Sequence, residues 1–213
     1  LLVSGGHTEF TIVKKFNSYK RIGTTLDDAL GEAFDKTARL LKLGYPGGPQ
    51  IEKCANNGNP NKYQFPMPLI HEKNCNFSFS GLKTALIRLS RKLEPVDQIT
   101  KINIAASYQK AIIECLVDRT KNSITLSKKI HPDLTIKNLV ASGGVAANKR
   151  LTEELRNLAK DNKMKFISPP AELCTDNAAM IAWAGCLRMK EGLLNNEMIS
   201  AKARWPLEEV VKK

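Results

Sequence analysis

No apolar stretch in these 213 residues is long enough to cross a membrane, because Lys, Asp or Gly interrupts each one. Cysteine pairing is missing as well. Cys54, Cys75, Cys115, Cys174 and Cys186 form no C-x-x-C pair and their number is odd. That argues against a disulfide framework and for small buried hydrophobes in a reducing compartment. His7, His71 and His131 show neither H-x-x-H nor H-x-x-x-H spacing, and H-E-x-x-H is absent, so no complete metal site is legible. No Ser or Cys stands with a matching His as an activated nucleophile. There is no internal repeat, no low-complexity tract and no run of five like charges. The chain also opens without Met, at Leu1 and already inside an apolar strand. The expectation is therefore that an N-terminal part is missing.

What the chain does contain is enough for a buried core. Hydrophobic residues make up 42% and charged residues 25%, which suits one large globular domain or two modest ones. The net charge of +12 fits a polyanionic partner such as RNA, since clustered Lys and Arg gain affinity from counterion release. Because Lys is spread along the chain, a merely solvated basic surface is the alternative.

Apolar runs and helical spacing give the organisation. Leu1–Val3 and Glu9–Val13 read as a strand pair around a glycine turn, with Tyr19–Gly23 as a third strand. Asp27 and Asp28 stand where helix caps belong, ahead of Leu30, Phe34, Ala38 and Leu41 on one helical face. That helix stops at Gly44, and a short one follows from Gln50 to about Ala55. Residues 56–76, rich in Asn, Pro and Gly, read as a long ordered loop or an insertion. Ser80 is the expected cap of a helix carrying Leu82, Leu86, Leu89 and Leu93. A long helix spans about Asp97 to Ser127, and a strand lies around Leu139. A helix to about Asn162, the strand Lys165–Ile167 and a helix from Asn177 to about Lys190 complete the pattern. Strands alternating with helices predict an α/β fold with a largely parallel sheet.

Three segments carry the chemistry. Val3-Ser4-Gly5-Gly6-His7-Thr8 and Ala141-Ser142-Gly143-Gly144-Val145-Ala146-Ala147-Asn148 each follow a strand-type run. Glycines at a strand end let backbone N–H groups approach phosphate oxygens, and a following helix N-terminus favours negative charge. Two such turns flanking one cleft point to a nucleotide site. The third segment is Cys174-Thr175-Asp176-Asn177-Ala178. Asp176 there reads either as a helix N-cap or as a hard ligand for a divalent metal. Asp35 sits mid-helix beside Glu32 and Lys36, which suit an i,i+4 pair. It either shares their solvated face or reaches the cleft. The loop Tyr45-Pro46-Gly47-Gly48-Pro49 reads as a tight turn whose glycines permit positive φ, or as a close backbone approach to a ribose or base. Asn148 is a natural N-cap that could equally hold a ligand.

Together these segments resemble one family, the tRNA N6-adenosine threonylcarbamoyltransferases. The resemblance rests on Leu1 to Thr8, Leu26 to Lys36 (L-D-D-A-L-G-E-A-F-D-K), Leu43 to Pro49 (L-G-Y-P-G-G-P) and Asn76 to Lys83 (N-F-S-F-S-G-L-K). Ala141 to Asn148 and Cys174 to Trp183 complete it, in the family's order and over nearly the whole chain. It implies an α/β fold of the actin-like ATPase type. Residues 1–170 would be its second lobe with both glycine turns, and residues 171–213 a metal-ligand segment and C-terminal helix packing toward a missing first lobe. The implied reaction moves threonylcarbamoyl from threonylcarbamoyl-AMP to N6 of adenosine 37, in tRNAs reading codons that begin with A.

By position, Leu2, Val3, Ser4, Gly5 and Gly6 would line the adenylate through backbone groups. Asp35 and Gly48 would hold its ribose and adenine end, and Asn148 would contact it from the second turn, with Glu52 a weaker candidate. Asp176 would be one ligand of a single metal ion, iron ahead of zinc. The family's other ligands, a His pair in H-x-x-x-H, belong upstream of the first turn. The chain by itself is therefore expected to lack a complete metal site and to be inactive. The implied partners are tRNA and, in a bacterium, a TsaB-type paralogue and a TsaE-type ATPase; in a mitochondrion the implied partner is a second copy. The implied location is the cytoplasm, with the mitochondrial matrix as the alternative. Competing readings are a small-molecule kinase of the same superfamily, a metalloprotease (disfavoured without H-E-x-x-H) and a non-catalytic nucleotide-binding scaffold.

Overall fold

A computed structural model describes residues 1–133, 135–193, 205–207 and 209. Along the chain run β1 (Leu2–Val3), β2 (Thr8–Lys15), β3 (Ser18–Thr24), α1 (Leu30–Leu40), α2 (Gly47–Ala55), α3 (Ser80–Lys92) and α4 (Gln98–Ile130). After them come β4 (Asn138–Val140), α5 (Lys149–Asp161), β5 (Lys165–Ile167) and α6 (Ala178–Lys190). The α/β class is as expected. The sheet is not largely parallel. β1, β2 and β3 form an antiparallel meander, and among the described strands only β4 and β5 pair in parallel. A two-residue connection between β2 and β3 leaves no room for a crossover helix, so that pairing has to be antiparallel. The two parts are stitched by a parallel bridge between Leu2 and Ser142, with Val3 N–H donating to the Ser142 carbonyl at 2.8 Å. That seam sets the ends of β1 and β4 side by side, and with them both glycine turns.

The core lies against the meander and around α4. Phe10 stacks on Phe77 at 5.1 Å between ring centroids, and Phe77 on Phe79 at 5.9 Å. α4 buries Ile104, Ala105, Tyr108, Ala111, Ile112, Cys115 and Leu116, three or four residues apart, as a helix covered along a broad stripe requires. The Tyr108 hydroxyl donates to the Ala33 carbonyl at 3.2 Å, fixing α4 against α1, and burial pushes its pKa up. Residues 56–76 are a loop tied to α4 by hydrogen bonds to the loop backbone. Asn103 accepts from Asn59 N–H, Ser107 from Tyr63 N–H, and the fully buried Arg119 donates to the Asn74 carbonyl. Three of the five cysteines, Cys75, Cys115 and Cys174, are buried as expected, Cys54 is half-buried and Cys186 is exposed.

The caps differ most from expectation. Neither Asp27 nor Asp28 caps α1. Its first N–H groups are taken by the first glycine turn, Leu30 N–H donating to Thr8 Oγ1 at 2.8 Å and Gly31 N–H to the Ser4 carbonyl at 3.0 Å. Asp27 instead reaches the start of α3. Its carboxylate accepts from Phe79 and Ser80 N–H and from the Ser78 and Ser80 hydroxyls. Ser80 is thus a donor to a distant cap, not the cap itself. Burial raises the Asp27 pKa, but these four donors outweigh it and hold the group below its ordinary range. Asp28 pairs with Lys36 at 2.7 Å, and Lys36 also takes the expected Glu32 pair at 3.0 Å.

Candidate functional site

The first glycine turn is shaped from within. Ser4 Oγ accepts from His7 N–H at 3.0 Å and from Gly6 N–H at 3.3 Å, folding residues 4–7 into a hydroxyl-capped loop. Leu2 and Val3 sit inside the sheet, with Val3 wholly buried. Gly5 and Gly6 face open space, and a Cβ at either would meet nothing within 4 Å. α1 arrives end-on. A Cβ on Gly31, in its first turn, would lie 2.8 Å from Gly5 Cα and the Ser4 carbonyl, so only glycine lets the helix approach this closely. The N-terminal end of α1, with its positive dipole, therefore stands beside the open glycines.

One helical turn further, Asp35 shares the face of Gly31. Its Oδ1 accepts from Gly47 N–H at 2.7 Å, joining α1 to the start of α2. The glycine loop itself differs from expectation. Gly47 and Gly48 are the first turn of α2, and of this stretch only Gly44 has a positive φ, of 99°. The two glycines also differ from each other. A Cβ on Gly47 would lie 2.5 Å from Asp35 Cα, whereas Gly48 faces nothing within 4 Å. Gly47 is needed for packing, and Gly48 leaves open backbone.

The second turn is locked against the first. Gly143 has φ of 96°, and a Cβ there would stand 2.3 Å from the Val3 carbonyl oxygen. Residues Gly144–Ala147 form a 3-10 turn leading into α5. Asn148 is its N-cap, with Oδ1 accepting from Leu151 N–H at 2.9 Å while Nδ2 donates to buried Gln109 at 3.0 Å. Glu52 of α2 also serves α5, accepting from Lys149 N–H at 2.8 Å. Both side chains thus hold the start of α5, a role that suits polar groups at a helix N-terminus.

The Cys174–Ala178 segment comes up to this turn, placing Thr175 Cγ2 at 3.9 Å from where a Gly144 Cβ would be. Asp176 is exposed and does not cap α6. That role falls to Asn177, which accepts from Met180 N–H at 3.0 Å. The cap reading of Asp176 therefore fails by one residue. Among the described residues no three of His, Cys, Asp and Glu converge. Among the described residues Asp176 stands without a partner donor of this kind, and one donor does not by itself fit a bound metal ion.

The structure thus gathers Ser4, Gly5 and Gly6, Gly31, Asp35 with Gly47 and Gly48, and Gly144 with Thr175 along one seam. Sequence reasoning missed Gly31 and Thr8. Their roles come from contacts made across the chain, and no local pattern announces them.

An α/β unit with two strand-end glycine turns meeting at a helix N-terminus presents open backbone that suits an anionic ligand. Comparison with known proteins supplies the particular family. The family described as TsaD, tRNA N6-adenosine threonylcarbamoyltransferase, matches residues 1–183, and the chain belongs to it. Curated relatives of that name include proteins of Sinorhizobium medicae, 48% identical over all of this chain and 59% of the relative, and Brucella suis, 49% identical over 98% of the chain and 58% of the relative. The protein of Pelagibacter ubique is 48% identical over 98% of the chain and 57% of its own length. The chain thus spans under three-fifths of the relatives it matches. A solved structure of T. kodakarensis HypF aligns with 80% of this chain and 21% of its own, at 21% identity and a TM-score of 0.48, too low to carry an argument.

Proposed function

We propose that the complete protein transfers the threonylcarbamoyl group of threonylcarbamoyl-AMP to N6 of adenosine 37 in tRNAs reading codons that begin with A. In this reading residues 1–170 are the second lobe of an actin-like fold and hold the adenylate. The observation that carries it is the meeting of both glycine turns at the N-terminal end of α1, with Gly5, Gly6 and Gly48 open to a ligand. The open turn beside the helix end takes the AMP phosphate, and Asp35 and Gly48 flank the ribose and base.

The donor is a mixed anhydride, so its carbamoyl carbon is already activated. The adenine amine attacks that carbon and the bond to the phosphate oxygen breaks. AMP then leaves with the electron pair, and N6 loses a proton to the solvent. No protein nucleophile is required, and the chain contributes position and a fixed field around the leaving phosphate. Asp176, exposed beside the second turn, is proposed as one ligand of an iron ion whose other ligands lie outside residues 1–213. No step is assigned to that ion. Work alongside a TsaB-type paralogue and a TsaE-type ATPase, in a bacterial cytoplasm, belongs to the same proposal, as does packing of α6 on the first lobe.

The test is a full-length preparation given threonylcarbamoyl-AMP and an unmodified tRNA transcript, with the nucleosides read by mass spectrometry. Threonylcarbamoyladenosine at position 37 supports the reading. Consumption of ATP with a small-molecule acceptor, and no change in the tRNA, would sink it in favour of a kinase. For Asp176→Ala the expected result is a lower metal content at an unchanged melting temperature.

A further inference from the structure

Six lysines gather at the end of the sheet opposite the glycine turns. Lys14, Lys15 and Lys20 lie on the β2–β3 hairpin, Lys128 and Lys129 in the last turn of α4, and Lys137 just before β4. All six are exposed, and none takes a salt bridge among the described residues. One concavity of about 650 Å³ joins the three elements, with Lys14 and Tyr19 on the hairpin side, Ser127 on α4 and Lys137 before β4. His131, at the end of α4, reports the same proximity. Its pKa is lowered by burial and further by the charges of Lys14 and Lys20. Among the described residues the neighbouring carboxylates are Asp133, near in sequence, and Glu9, which lines the same concavity and pairs with Arg21, so the lysines keep the positive excess.

Like charges brought together without counter-anions repel one another, and a polyanion relieves that repulsion while releasing its own counterions. These lysines come from three separate parts of the chain, the hairpin, the end of α4 and the segment before β4. Spaced phosphates suit them better than one small anion. β2 connects the patch to the first glycine turn, and seven residue steps from Thr8 to Lys15 span roughly 23 Å. A nucleotide seated at the turn does not cover that distance. A folded RNA does, and its duplex arms are recognised largely through backbone and shape.

We infer that the Lys14–Lys20 hairpin and the end of α4 dock the phosphate backbone of the tRNA arm whose loop reaches the glycine turns. This rests on the proposed transferase reading and adds the surface that reading leaves unassigned.

The experiment uses the full-length protein and an unmodified transcript of a tRNA reading a codon that begins with A. Binding is measured across a salt series. One variant combines Lys14→Gln, Lys15→Gln and Lys20→Gln. A charge-matched control combines Lys62→Gln, Lys92→Gln and Lys101→Gln, around the opposite end of α4. The hairpin variant is expected to bind about tenfold more weakly at low salt. Its slope of log affinity against log salt should be shallower by about 2.7, at close to 0.9 for each of the three lost phosphate contacts. The control should stay within about twofold of wild type, and both variants should keep their melting temperature and adenylate affinity. An equal effect in the two variants overturns the patch. So does a hairpin variant that keeps tRNA affinity but loses a protein partner. Either result leaves the transferase reading standing, whereas a wild-type protein that binds no tRNA overturns both.

Discussion

The two glycine turns share a sequence pattern and do different work. At the second, Gly143 is locked, with φ of 96° and the Val3 carbonyl where a side chain would go. At the first, Gly5 and Gly6 are unhindered, and the loop is held by the Ser4 hydroxyl and by α1 arriving at Gly31. A strand-end Gly-Gly pair can thus be required because protein fills the space, or because space is kept for something else. The same division recurs inside α2, where Gly47 is packed on Asp35 and its neighbour Gly48 is open.

The sharpest way to break this comparison is alanine substitution at each position in the full-length protein. Gly143→Ala combines positive-φ strain with a backbone clash, and should cost on the order of 3 kcal/mol, read as a large drop in melting temperature. Gly47→Ala lacks the φ strain but must push α2 away from α1, at about 2 kcal/mol by thermal or denaturant melting. Should either variant melt like wild type, the packed half of the comparison fails.

Asp27→Ala removes the cap that ties α1 to α3, for about 1 kcal/mol or less because solvent screens this exposed carboxylate. Its pH dependence gives the sign. The folded-state pKa lies below the unfolded one, so the stabilisation is present above about pH 4 and fades as pH falls through the folded value. Wild type and variant should therefore converge in acid, and a gap that persists there removes the charge from the explanation. Gly5→Ala and Gly6→Ala come last, with stability within about 0.5 kcal/mol of wild type. Adenylate affinity, measured by calorimetry, should nevertheless fall. Undiminished affinity would mean that the open turn is not where the nucleotide sits.

The reach of the sequence differed from element to element. Helices with a regular apolar face, such as α1 and α4, were readable because their periodicity is a local property. The ends of elements were not. Asp27 looks like the cap of the helix it precedes, yet it caps one that starts more than fifty residues later. Asp176 lies one residue short of the cap position that Asn177 fills. The Gly47-Gly48 pair reads as a turn and is helical, since Asp35 accepts the first N–H group of α2. In each case a hydrogen-bond partner distant in sequence, or a neighbour equally able to serve, outcompeted the local choice.

α6 is apolar in sequence, A-A-M-I-A-W-A-G-C-L, yet none of its residues is buried among those described, and Trp183 is 62% exposed. Residues 194–204, 208 and 210–213, part of the segment expected to carry the metal ligand and the C-terminal helix, lie outside the described residues.

By itself the sequence determined the family, the α/β class, the two glycine turns and the helical faces, because each is written in short-range pattern. The tertiary structure alone decided which glycines are packed and which are open, which carboxylate caps which helix, and that the lysines of β2, β3 and α4 lie together. Those outcomes depend on distances between residues far apart in the chain, set by how the meander and α4 pack on each other, and no local pattern encodes such a distance.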